Sequence, residues 1–350
     1  MCWSCGMKVT YGKLPKEVLE KTVFRWLGAR RKDVLLWPAY GEDAAVVNAP
    51  ERCLVVTCDP ITGSRKLIGW LAVHINANDV AVCGAKPAWF SSCILLPEDD
   101  EALFASIVKQ IHKAASELHV SVITGHSEVA LYVSEPIIIG TMIGVLEGNK
   151  YYRTGGAKPG DKILMTKTAA IEGTAILATD LSEVLSSKVD KPLLKRASAF
   201  YRKISVVDEA LRIASTGLAT AMHDPTEGGL LGGLYEMAEA SGTGFVVYED
   251  TIPIAKETRI ICETLGCDPL KLISSGTLIA SVRGDYKKLI TALKRAGVKA
   301  TIIGEVVPKK NGRKLIRSEG NVENIKSTIT DELWRILSEY PPSSTSRLAV

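Results

Sequence analysis

The sequence predicts a two-domain α/β (α+β) protein, and three observations carry that expectation. Its 350 residues exceed one average domain and suit two. Short apolar runs that read as strands alternate with longer runs of helical periodicity. The pattern then breaks around Gly148, Gly155, Gly156, Pro159 and Gly160, a polar stretch that we take as the domain boundary.

A leader is expected over 1–14 and an N-terminal domain over 15–150. The first helix spans 15–27: Pro15 suits its first turn, Leu19, Val23, Trp26 and Leu27 share a face, and Gly28 stops it. Segments 44–47 and 53–58 read as strands. A helix over 67–82 places Leu67, Leu71, His74, Asn78 and Val82 along one stripe and ends at Gly84. A strand at 88–96, a helix at 98–118 and strands at 120–124 and 137–146 complete this domain.

The C-terminal domain covers 151–340. It opens with a strand at 162–166, helices within 172–185, 192–203 and 206–215, and a strand at 219–222. The helix over 227–240 turns Leu230, Leu231, Leu234, Met237 and Ala238 inward. Strands at 245–248, 277–282 and 300–305 are separated by helices near 253–265 and 286–296. A last helix is expected at 325–337, and 341–350 is a polar, flexible tail.

Composition excludes several classes. Hydrophobic residues at 46% and charged residues at 23% are the balance of a soluble globular protein. A net charge of +4 is too small to suggest a nucleic-acid or membrane surface, and 6% aromatics argue against a base-stacking platform. No apolar run reaches the length of a membrane span and no secretory signal is visible, so a cytoplasmic protein is expected. Eight cysteines fit that compartment as thiols. Cys2 and Cys5 form a Cys-x-x-Cys pair, but neither a second such pair nor paired histidines supports a zinc site, and Met7 offers an alternative start.

Five acidic, mostly glycine-flanked segments stand out: Gly41-Glu42-Asp43-Ala44-Ala45, Thr57-Cys58-Asp59-Pro60, Asn76-Ala77-Asn78-Asp79, Gly125-His126-Ser127-Glu128 and His223-Asp224-Pro225-Thr226-Glu227-Gly228-Gly229. Each adjoins an apolar run, where strands end and helices begin. Carboxylate oxygens converging from several segments suit Mg²⁺ bound to a nucleoside triphosphate, and glycines let backbone N–H groups approach phosphates. Each segment also has a plainer explanation. Asp43 and Asp59 suit turns, His126 and Glu128 a solvated loop, and Asp224 a helix cap. Asp79 resists it, because an unpartnered carboxylate beside Val80, Ala81 and Val82 would be costly and needs a cation or a buried cap. The double glycine at 228–229 costs helix stability and implies close approach of backbone to a ligand or to a facing segment. There is no Gly-x-x-x-x-Gly-Lys-Ser/Thr loop and no Gly-x-Gly-x-x-Gly after a strand, so nucleotide binding would be of another kind.

Taken in order, Gly41–Ala45, Thr57–Pro60, the Asn78-Asp79-Val80-Ala81-Val82-Cys83-Gly84-Ala85-Lys86-Pro87 run, 124–129 and 223–230 resemble the aminoimidazole ribonucleotide (AIR) synthase superfamily. The resemblance spans roughly 12–306 and is closest to its HypE-like, AIR synthase-related branch. It implies a two-domain PurM-like fold whose N-terminal domains build a barrel across a homodimer interface. It implies ATP and Mg²⁺ as cofactors, with Asp43, Asp59 and Asp79 as metal and phosphate ligands and Asn78 in support. Asp79 and Glu128 fall at catalytic positions; Gly125, His126, Asp224, Gly228 and Gly229 fall at nucleotide positions. The implied chemistry is transfer of the γ-phosphoryl to a poor, amide-type nucleophile. Alternatives are a non-catalytic nucleotide-binding scaffold and a small-molecule kinase akin to thiamine-monophosphate kinase.

The sequence departs from HypE at three places. Glu227 stands where HypE has arginine, and Ser275-Gly276-Thr277 replaces the usual Glu-Gly. HypE also carries its substrate on a C-terminal cysteine, whereas the last cysteine here is Cys267 and the sequence ends Arg347-Leu348-Ala349-Val350. The self-carbamoylated route to the hydrogenase cyanide ligand is therefore not expected.

Overall fold

The computed structural model of the chain describes residues 16–21 and 31–340. The expected leader, most of the first helix and the tail from 341 lie outside the described residues. The N-terminal elements are α1 (Lys16–Lys21), β1 (Val34–Leu36), β2 (Ala45–Asn48), β3 (Cys53–Ile61), α2 (Ile68–Val82), β4 (Ala85–Leu96), α3 (Glu101–Glu117), β5 (Ser121–Val129) and β6 (Ile137–Leu146). After the boundary come β7 (Lys162–Thr166), α4 (Ile171–Asp180), α5 (Ser182–Ser186), α6 (Lys191–Ser198), α7 (Val207–Thr216), β8 (Ala219–His223), α8 (Gly229–Ser241) and β9 (Thr243–Tyr248). The chain closes with α9 (Lys256–Leu265), β10 (Ile279–Val282), α10 (Tyr286–Arg295), β11 (Ala300–Pro308), β12 (Arg313–Ile316), β13 (Val322–Asn324) and α11 (Glu332–Glu339).

The strands make two sheets, ordered β1-β2-β3-β6-β4-β5 and β13-β12-β9-β11-β7-β10-β8. The fold is mixed α/β, as the alternation of periods predicts. β3 runs past its expected end because β6 pairs with it as far as Ile61↔Ile138. β2 pairs only with Cys53–Val56, which leaves the other side of the outer half without a ladder and makes Pro60 tolerable there. Asp59 rides on this half-paired extension.

α2 is the keystone. All of its residues are buried, His74, Asn76, Asn78 and Asp79 included. It lies between the first sheet and α3 and also meets α7 of the second domain. A helix covered on every side is apolar all round, so the single stripe expected from periodicity is in fact the whole circumference. Its contact with β6 is close: a Cβ on Gly144 would come within 2.2 Å of Val80 Cγ1. The polar groups on such a helix each need a partner. Asn76 accepts from the Asp59 N–H at 3.0 Å and donates to Ala72 O at 2.9 Å. His74 is the exception: it packs against Trp70 with ring centroids 4.5 Å apart, and neither of its buried ring nitrogens has a hydrogen-bond partner. Among the described residues, no helix is long and apolar enough to cross a membrane.

Candidate active site at the domain junction

Four carboxylates converge where the two domains meet. Asp43 precedes β2, Asp59 sits on the outer half of β3, Asp79 lies in the last turn of α2, and Asp224 follows β8 directly. Asp79 is 5% exposed and Asp224 1%. Burial pushes the Asp79 carboxyl well above its ordinary range, and Asp59, Asp224 and Asp43 push it further, while the Thr57 hydroxyl draws it back. That hydroxyl donates to Asp79 Oδ2 at 2.8 Å. One ligand atom each from Asp43, His223 and Asp224 lie within 4.8 Å of one another.

His223 orients this cluster. Its Nδ1 donates to Asp43 Oδ1 at 2.7 Å and its Nε2 to Glu236 Oε2 at 3.0 Å. Burial alone would lower the imidazole pKa, but the two carboxylates outweigh it and raise it to about 10. With both ring nitrogens donating, His223 is a cationic brace and has no lone pair for a metal. Thr154 Oγ1 donates to Asp43 Oδ2 at 2.9 Å. Glu42 accepts from the Thr154 N–H at 3.2 Å and pairs with Arg153 at 2.8 Å. The glycine-rich boundary is thus part of the site wall as well as a connection.

The donor set suits Mg²⁺. It is oxygen throughout, and four carboxylates under mutual repulsion in a desolvated site call for a hard cation. The nearby Cys83 thiol does not compete, since burial, Asp43 and Asp79 push its pKa well above 9.0 and keep it protonated. Asp43, Asp59, Asp79 and Asp224 are the residues that would hold the ion.

Other expected site residues are placed elsewhere. Asn78 donates to Ile204 O at 3.0 Å and accepts from the Val206 N–H at 2.8 Å, so its amide staples α2 to the segment before α7 and is not in the acidic cluster. The Gly228 N–H donates to Asp331 Oδ2 at 2.6 Å, which takes it away from any phosphate. Gly229 has φ 64°, and a Cβ there would stand 2.7 Å from Leu272 O. The glycine pair is therefore explained by a facing backbone segment, the second of the two options its cost allowed. Gly125, His126 and Glu128 lie on β5, three strands from β3 in the sheet order, a separation of roughly 14 Å at ordinary strand spacing. His126 and Glu128 pair with each other at 3.0 Å on an exposed strand. One chain does not bring them to the carboxylates.

Sequence reasoning missed Thr57, Thr154, His223 and Glu236. His223 had a signal, since it adjoins Asp224 inside the same segment. Glu236 lies 13 residues from it, on a helix where only the apolar face drew notice. Beside Asp59 opens a cavity of about 420 Å³ whose wall includes Leu71, Glu172, Thr226, Glu227, Ser275 and Trp334.

This architecture and site define the class of protein. Profiles of the AIR synthase related protein N-terminal and C-terminal domains match residues 41–146 and 158–316, and the chain belongs to the AIR synthase-related family. A protein of Methanocaldococcus jannaschii, assigned provisionally by its name to hydrogenase expression/formation, is 30% identical over 310 residues, 86% of this chain and 90% of that one. The carbamoyl dehydratase HypE of Azotobacter vinelandii is 33% identical over 282 residues, 77% of this chain and 80% of that one. A crystal structure of the hydrogenase maturation protein HypE in complex with ATP superposes with a TM-score of 0.69 at 25% identity, covering 89% of this chain and 91% of that one. The chain is thus HypE-like within the family.

Proposed function

We propose that this protein uses Mg²⁺-ATP to phosphorylate a poor nucleophile, of the amide type or similar, borne by a separate small molecule. The observation that carries this is the convergence of Asp43, Asp59, Asp79 and Asp224, of which Asp59 also lines a cavity large enough for such an acceptor. The ATP complex of HypE supports the choice of nucleotide. ATP would supply the γ-phosphoryl group. The chain's carboxylates hold the cation, His223 and Thr154 fix Asp43, and the cavity aligns the acceptor; catalysis of this kind is mainly positioning and charge neutralisation. In calorimetry, ATP with Mg²⁺ should bind saturably, with slow phosphate release when no acceptor is present. No heat with or without Mg²⁺ would sink the proposal. Tight binding without turnover on any acceptor would favour a nucleotide-binding scaffold, and ADP formation stimulated by a phosphorylated metabolite would favour a small-molecule kinase.

A homodimer is part of the same proposal, and β5 supports it. Every residue of this edge strand is exposed, Val122 at 49% and Ile123 at 56%, with Leu131 and Tyr132 beyond it at 85% and 96%. An apolar open edge of this length invites strand pairing. His126 and Glu128 lie on this edge, so a second copy seated there would cover them. Ile123→Asp should shift sedimentation from dimer to monomer at micromolar concentration and reduce ATP turnover with it. A parent chain that sediments as a monomer would contradict the homodimer.

A further inference from the structure

The cavity beside Asp59 has a chemistry of its own. α4 starts from Ala170 in the left-handed conformation (φ 56°), and its first turn brings Glu172 to the cavity wall. Glu172 is 2% exposed, and its Oε2 has no hydrogen-bond partner. Burial raises its pKa to about 7; Ser275 draws it back, and the Asp331 and Glu227 carboxyls push it up again. Trp334 of α11 lines the same space, with an indole N–H buried and unpartnered. Asp59, Glu172 and Glu227 give the lining three carboxyl groups, and no Lys or Arg is among the described lining residues.

We propose that this cavity is the acceptor subsite and takes a small molecule bearing a cationic nitrogen group, an amine, amidine or guanidine, seated on Glu172 and Glu227. The role as acceptor subsite rests on the phosphoryl-transfer proposal above, whereas the charge preference stands on the cavity alone. A cation supplies the counter-charge and the hydrogen-bond donors that Glu172 lacks. An anion would meet three carboxylates, and an apolar body alone would leave Glu172 Oε2 unsatisfied. The lining thus divides the work: Asp59 belongs to the carboxylate cluster, and Glu172 with Glu227 anchors the ligand.

Agmatine is a suitable probe and glutarate its anionic counterpart. Each is titrated into the full chain at pH 8 in EDTA without ATP, with binding followed by tryptophan fluorescence and calorimetry. Agmatine should saturate and glutarate should not, and Glu172→Gln and Glu227→Gln should each weaken agmatine roughly tenfold or more. Glu227 is only partly buried, so its variant keeps the test open should the other fail to fold. Absence of agmatine binding, equal binding of glutarate, or unchanged affinity in a folded variant would overturn the proposal. Mg²⁺-ATP is titrated into the same preparation. Agmatine binding without ATP binding supports the charge preference and overturns the acceptor role; ATP binding without agmatine binding overturns this proposal and leaves the other standing.

Discussion

Asp79→Asn is expected to remove most Mg²⁺-dependent ATP binding while leaving the metal-free protein at least as stable as the parent. The two effects share one cause. Burial, with Asp59, Asp224 and Asp43 close by, raises the Asp79 pKa and favours its protonated form when no cation is present. Asparagine is nearly isosteric with that form, and its amide oxygen can accept the Thr57 hydroxyl that now donates to Oδ2 at 2.8 Å. With Mg²⁺ in place the situation reverses, because the ion loses a buried ligand charge that water does not replace. Breaking a buried charge pair costs about 3–5 kcal/mol, which corresponds to at least a ~100-fold loss of affinity. Glu227→Gln should weaken Mg²⁺-ATP far less, since Glu227 stands on the cavity wall and is partly exposed. Calorimetric titration of both variants, with thermal unfolding of each in EDTA, makes the comparison. Negligible and equal losses would mean that Asp79 is a buried partner of Thr57, and its metal role would fall.

Asp79 was legible because the residues beside it are apolar and a lone carboxylate there demands a partner. β6 was legible for a similar local reason: a largely apolar run of strand length, broken only by Gly140, Thr141 and Gly144. Convergence was not. Asp43, Asp59, Asp79 and Asp224 meet only through the pairing of β3 with β6 and the packing of α2 between the domains, and neither leaves a short-range signal. Asn78 shows the ambiguity, since a polar residue next to a site acid looks the same in sequence whether it faces a ligand or staples the backbone at Ile204 and Val206. β1, β12 and β13 escaped notice because they have 3, 4 and 3 residues, too short for a period to declare itself. His126 and Glu128 sit in one of the quoted segments, yet their strand lies at the far edge of the sheet, three strands from β3.

Glu172→Gln is expected to make the protein clearly more stable than the parent at pH 8 and much closer to it at pH 5. The folded-state pKa of Glu172 is raised from 4.5 to about 7 by burial, so folding favours the protonated carboxyl. For a carboxyl shifted upward, the contribution to stability is fully present below about 4.5 and is lost as pH rises through about 7. A shift of this size is worth about 3 kcal/mol. Glutamine does not titrate, and it places an N–H donor where the protonated acid places an O–H, beside the same unpartnered position. The cost at low pH is therefore shared by both side chains, and only the parent suffers the charging penalty at high pH. Asp331, with its pKa also raised to about 7, adds a slope of the same sign in both proteins; because its carboxyl repels Glu172, the difference between them reports Glu172 together with that coupling. Urea unfolding at pH 5 and pH 8 should show a gap larger by about 2–3 kcal/mol at the higher pH. An equal gap at both values would show that Glu172 is already ionised in the folded protein at pH 5, with its charge compensated inside the cavity wall.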